Sequence, residues 1–83
     1  MSMFDHNILT DILKGDDGGV ATQDLIDRYC NGDRRSLWDA MDRIKRAAKV
    51  RGVPLESLYT HQRNGKHHRY FAGPGLKEYL AHN

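Results

Sequence analysis

Ten of the chain's thirteen lysine and arginine residues fall between positions 34 and 69. One group, Arg34, Arg35, Arg43, Lys45, Arg46, Lys49 and Arg51, is spread over a stretch with helical periodicity. The other, Arg63, Lys66 and Arg69, is interleaved with Asn64, His67 and His68. Flexible cations at this density are suited to neutralising a row of anions, and a phosphodiester backbone is such a row. Other chemistries find less support. His61, His67 and His68 lie close together in sequence, but they have neither a cysteine pair nor a helical His-x3-His spacing beside them, so no metal site is expected. Cys30 has no partnered base and reads as a packing residue. Asp16-Asp17-Gly18-Gly19 lacks the later ligands of a calcium loop. With no glycine-rich phosphate loop and no paired carboxylates, the sequence points to neither an enzyme nor a cofactor.

The charge is polarised along the chain. Residues 1–33 carry a net −5, residues 34–69 a net +7, and the last fourteen are neutral, so the overall +2 conceals an acidic half and a basic half. Such asymmetry points to an acidic partner for the basic half. At 83 residues the chain supports one core, and residues 1–83 are expected to form a single domain. One cysteine allows no internal disulfide, which fits a reducing, cytoplasmic setting. Neither a signal peptide nor an apolar run near the roughly 20 residues that span a bilayer is evident.

The elements that must position these cations are legible from periodicity. Ile8, Leu9, Ile12 and Leu13 predict a short helix over 7–14, with Asp5 as its N-cap and Gly15 as its stop. Thr22 is expected to cap a second helix that ends at Tyr29 or Cys30, before Asn31-Gly32. The strongest signal is a stripe of Leu37, Ala40, Met41, Ile44, Ala47 and Ala48, a helix over 34–51 closed by Gly52 and Pro54. Runs 55–62 and 67–72 predict a hairpin turning at Asn64-Gly65, so that Tyr59 pairs with Tyr70 and Leu58 with Phe71 on the core face. Leu76, Tyr79 and Leu80 predict a short final helix.

Three helices, a hairpin with a basic tip and a short C-terminal helix make an α+β chain. That element order resembles the winged helix-turn-helix domains of bacterial and phage regulators. Asp33-Arg34-Arg35-Ser36-Leu37-Trp38 is similar to the start of their recognition helix, Gly52-Val53-Pro54-Leu55 to the passage into the wing, and Arg69-Tyr70-Phe71-Ala72 to the return strand. The resemblance covers roughly residues 7–80. It implies that helix 34–51 enters the DNA major groove and that the wing, 61–69, meets phosphate or the minor groove. Two departures stand out: helix 34–51 is about one turn longer than usual, and Asp39 occupies a position that is often basic.

On this reading Arg34, Arg35 and Ser36 lie at the end of the helix best placed for base edges and phosphate, with Arg35 suited to guanine and Asp39 to cytosine N4. Arg43, Lys45, Arg46 and Lys49 are candidate phosphate contacts, as are Arg63, Asn64, Lys66, His67, His68 and Arg69 on the wing. The competing account makes Asp39–Arg43 and Asp42–Arg46 ordinary i,i+4 pairs, worth about 0.2–0.5 kcal/mol each. In the same account the wing cations protect a sheet edge. Protonation of the histidines would strengthen anion binding modestly below about pH 6.5.

The expected partner is double-stranded DNA, bound by a small transcriptional regulator acting as a homodimer. Trp38, the helix 75–81 and the apolar Met1, Met3 and Phe4 are the candidate dimer elements. The alternative is a winged-helix interaction module, such as a phage-encoded inhibitor or adaptor of a host protein, which the acidic first half and Asp39/Asp42 favour.

Overall fold

The computed structural model describes residues 2–82, apart from the side chain of Asn64. Helix α1 runs Met3–Lys14. Its N-cap is Ser2, whose hydroxyl accepts the N–H of Asp5 at 3.1 Å. Helix 1 therefore starts four residues before the apolar spacing suggests, and Asp5 is not the cap. The Ser-x-x-acid spacing of a helix start carries that signal. A single 3₁₀ turn at Asp16–Gly18 follows, and then a two-residue strand, β1, Val20–Ala21.

Helix α2, Thr22–Tyr29, begins directly at the strand's end. Ala21 occupies its N-cap position without a side-chain bond, so Thr22 is the first helical residue and not the cap. Asn31 (φ +51°) and Gly32 (φ +81°) turn the chain in the left-handed region, and α3 then runs Arg34–Val50. Gly52 (φ +72°) ends the helical segment. Pro54 follows as the N-cap of a one-turn helix, α4, Leu55–Leu58. The run expected to be extended from residue 55 is thus helical until Leu58, and strand β2 is Tyr59–Asn64. Gly73 explains the tight corner: a Cβ there would lie 2.4 Å from the Ser57 carbonyl, so only glycine lets the outgoing chain cross under α4.

Strand β3, His67–Ala72, and helix α5, Leu76–Ala81, complete the chain. The antiparallel sheet has the order β1-β3-β2. Its hairpin register differs by two residues from the expected one: Asn64 faces His67, His61 faces Tyr70, and Tyr59 faces Ala72. The two-residue turn is therefore Gly65-Lys66. Gly65 has φ +60° at the first central position, where a type II′ turn places its glycine.

The sheet faces also differ from expectation. Val20, Tyr59 and Tyr70 point inward and are buried, while Phe71 lies half-buried on the opposite face. Leu58 reaches the core from α4 instead of from the hairpin. The core is otherwise the one the helical stripes predict. Ile8, Leu9 and Ile12 of α1, Leu25 and Ile26 of α2, Leu37 and Ile44 of α3, and Leu76 of α5 are all essentially inaccessible. Burying side chains of this size contributes about 1.5–3 kcal/mol each, and this is what holds α3 with one face in and one face out. Among the described residues no helix is long and apolar enough to cross a membrane.

Candidate nucleic-acid interface

Asp33 sets the start of α3. One of its carboxylate oxygens accepts the backbone N–H of Arg35 at 3.1 Å, and the other accepts the Ser36 hydroxyl at 3.1 Å. The cap fixes the first helical turn and projects Arg34 and Arg35 into solvent. It also commits the Ser36 hydroxyl and one N–H group of the helix terminus to Asp33, so a ligand at this end meets mainly the two guanidinium groups.

The candidate cations divide into two sets. Arg43 donates from Nε and Nη2 to the two oxygens of Asp5, at 3.1 and 2.8 Å. This bidentate pair raises the Arg43 pKa further and fastens the start of α1 to the middle of α3. Arg46 pairs with Asp42 one turn away on the same helix. Arg69 does not extend from the wing tip. Its guanidinium donates to the carbonyls of Gly18 and Gly19, at 2.7 and 3.2 Å, and straps down the 3₁₀ turn. Arg51 lies over the Tyr79 ring, 4.3 Å from its centroid. By contrast the side chains of Arg34, Arg35, Lys45, Lys49, Arg63 and Lys66 make no hydrogen bond or ion pair with any described residue.

The free set has a direction. At about 100° per residue, Arg34, Trp38, Lys45 and Lys49 fall on one flank of α3, between the buried stripe and the outward line of Arg35, Asp39, Asp42 and Arg46. That flank faces the β2–β3 hairpin. Between them lies a groove of about 250 Å³ with Arg34 and Trp38 on one wall and Lys66, His67 and His68 on the other. Ala21, Thr22 and Ile26 form its floor. Trp38 is 42% exposed, unusually open for so large an apolar side chain. Asp39 and Arg43 lie on the far side of the helix, in a separate depression with Phe4 and Tyr29.

Three rings brace the β2–β3 hairpin where it leaves the body. His61 stacks on Tyr70 at 4.2 Å with the planes 8° apart, and His68 lies 5.6 Å from His61 on the same face of the sheet. The His61 Nε2 is 3.4 Å from the Thr22 hydroxyl at the start of α2. Burial, helped by His68 and Arg63, lowers the His61 pKa below its ordinary value. Burial and the neighbouring Tyr59 push Tyr70 up to about 12. His61 is therefore a strut between wing and α2, a role that composition alone does not reveal. His68 shares its face, and His67 projects to solvent, as the alternation predicts.

Asn64 is a candidate wing contact whose side chain lies outside the described residues, and Met1, a candidate dimer residue, also lies outside them. Met3 is exposed, whereas Leu76 and Tyr79 of α5 are spent on the chain's own core. Among the described residues no three His, Cys, Asp or Glu side chains are grouped to hold a metal ion. Burial, and then Asp33, raise the Cys30 thiol pKa, which disfavours the nucleophilic thiolate. Comparison with protein-family models, curated proteins and solved structures finds no match.

Proposed function

We propose that this protein binds double-stranded DNA as a winged helix-turn-helix domain, with α3 in the major groove and the β2–β3 hairpin as the wing on phosphate or in the minor groove. The order α1-β1-α2-α3-α4-β2-β3-α5, with the sheet order β1-β3-β2, supports the fold assignment. The observation that carries the function is the sorting of cations. Of the bases on α3 and the hairpin and just after α3, Arg43, Arg46, Arg51 and Arg69 are engaged by carboxylates, carbonyls or a ring, whereas those whose side chains have no partner among the described residues lie along α3 and at the tip of the hairpin. Arg35 reads bases, and Lys45, Lys49, Arg63 and Lys66 neutralise phosphates. One module of this size spans only a few base pairs, so a regulator built from it works as a homodimer on paired half-sites.

Selection from random duplex DNA, followed by a salt titration of the enriched sequence, tests the proposal. Expected are an enriched motif, an affinity that falls steeply between 50 and 200 mM salt, and a shallower slope for Lys66→Ala. Binding that is insensitive to salt, or unchanged in an Arg35→Ala, Lys66→Ala double variant, rejects it. A protein-docking function is the second reading. It is favoured by Asp39 and Asp42 on the outward line of α3 and by Val50, which is 88% exposed near the end of that helix.

A further inference from the structure

The chain's single tryptophan stands in an unusual place. Trp38 is 42% exposed, yet it does not project from the outward line of α3, where base-reading side chains would sit. It is turned toward the wing, one helical turn beyond Arg34 and across the groove from Lys66 and His67. The groove thus has an apolar floor and wall, from Ala21, Ile26 and Trp38, under a cationic rim. A strand of nucleic-acid backbone has the complementary form. Its deoxyribose rings present C–H surface, and its phosphates flank each sugar on both sides. A base edge in the major groove offers no such pairing of apolar surface with two anions.

We infer that this groove seats one sugar–phosphate strand, with the indole of Trp38 packed on a deoxyribose and with Arg34 and Lys66 closing on phosphates from opposite walls. The inference rests on the DNA-binding reading and deepens it by separating two roles on one helix. Trp38 is a backbone clamp and carries affinity without sequence preference, while Arg35 on the outward line carries the preference. An uncharged clamp also releases no counterion, so its removal weakens binding at every salt concentration by the same factor.

Emission from the single tryptophan reports on the groove in the unaltered protein. Titration with the enriched duplex should shift the emission to shorter wavelength and shield the indole from iodide. A duplex of unrelated sequence should do the same at higher concentration. In fluorescence anisotropy with labelled DNA, Trp38→Ala should lower affinity about 5- to 20-fold for every sequence with the salt slope unchanged. Arg34→Ala and Lys66→Ala should each reduce the slope by about 1. Trp38→Phe, which keeps an aromatic face, should restore most of the loss and guards against misfolding of the alanine variant.

Salt-dependent binding with unaltered emission and full iodide access would leave the DNA reading standing and remove Trp38 from it. A loss confined to particular sequences makes Trp38 a base reader and overturns the clamp. A mononucleotide that shifts emission as the duplex does makes the groove a small-molecule site and likewise overturns it. Absence of duplex binding at low salt ends both readings.

Discussion

On the flank of α3 that faces α1, Arg43 gives one edge of its guanidinium, Nε and Nη2, to the two oxygens of Asp5, a carboxylate only 4% exposed. On the flank that faces the β2–β3 hairpin, the Arg34 side chain has no partner among the described residues and stands with an open tryptophan beside a groove. The two arginines are nine residues apart on one helix, and periodicity assigns both to the solvent side. What separates them is which neighbouring element supplies a carboxylate. α1 arrives at one flank with Asp5, whereas the wing arrives at the other with Lys66, His67 and His68. Where a counter-charge is built in, the cation serves stability. Where none is, it is left to a partner.

The largest expected effect tests the stability side. Arg43→Ala strands the Asp5 carboxylate in a buried site. Loss of one member of a fully buried pair costs about 3–5 kcal/mol, and because Arg43 is itself half-exposed a loss of about 2 kcal/mol is expected. In a domain of this size that is roughly 8–16 °C in Tm by thermal denaturation. Its salt slope for duplex binding should stay as in the unaltered protein. A stable Arg43→Ala variant with a reduced slope would move Arg43 to the DNA side and erase the contrast between the flanks.

Arg35→Ala is expected to behave in the opposite way. With no partner to strand, it should leave Tm unchanged while lowering affinity for the selected duplex by about 1–3 kcal/mol. Arg46→Ala sharpens the comparison, because Arg46 points outward like Arg35 but is paired with Asp42. It should change affinity less than Arg35→Ala does. Equal losses would mean that the Asp42 pair opens on binding.

The wing shows the same division on a smaller scale. Arg69→Ala removes two bonds to the carbonyls of Gly18 and Gly19 and should cost about 1 kcal/mol of stability, read by urea denaturation, with little change in salt slope. Lys66→Ala should do the reverse. If Arg69 instead contributes a full unit of slope, the strap releases on binding and the wing's cationic surface is larger than the free set.

These contrasts mark where the sequence is informative. The ends of α2 and α3 and the stripe from Leu37 to Ala48 are legible because helix periodicity and left-handed turn residues act within a few positions. Strand β1 is not, since two residues have no pattern of their own and extend only because β3 lies beside them, with Val20 facing Tyr70 and Ala21 facing Arg69. Gly19 hints at it: with φ +69°, a Cβ there would lie 2.7 Å from the Tyr70 carbonyl. The hairpin is legible from Asn64-Gly65, but its register follows from burying both tyrosines against Val20, which the turn residues cannot express. At the site, Arg34, Arg35 and Lys66 are legible as exposed cations. The commitments of Arg43 and Arg69 depend on groups 38 and about 50 positions away. No local spacing encodes those.

The smallest expected effect concerns the base of the hairpin, and it has a sign of its own. At the base, His61 is held neutral by burial between Tyr70 and Thr22, with His68 and Arg63 on the same face of the sheet. A histidine whose folded pKa is lowered leaves stability intact above its unfolded value near 6.5 and loses it as the pH falls from there through the folded value. Acidification should therefore lower Tm through His61. His61→Gln should flatten the fall in Tm between pH 7 and 5, and His68→Gln should shrink it by removing a like charge 5.6 Å away. If both variants lose stability on acidification as the unaltered protein does, another group sets that dependence. His61 would then be a packing residue alone.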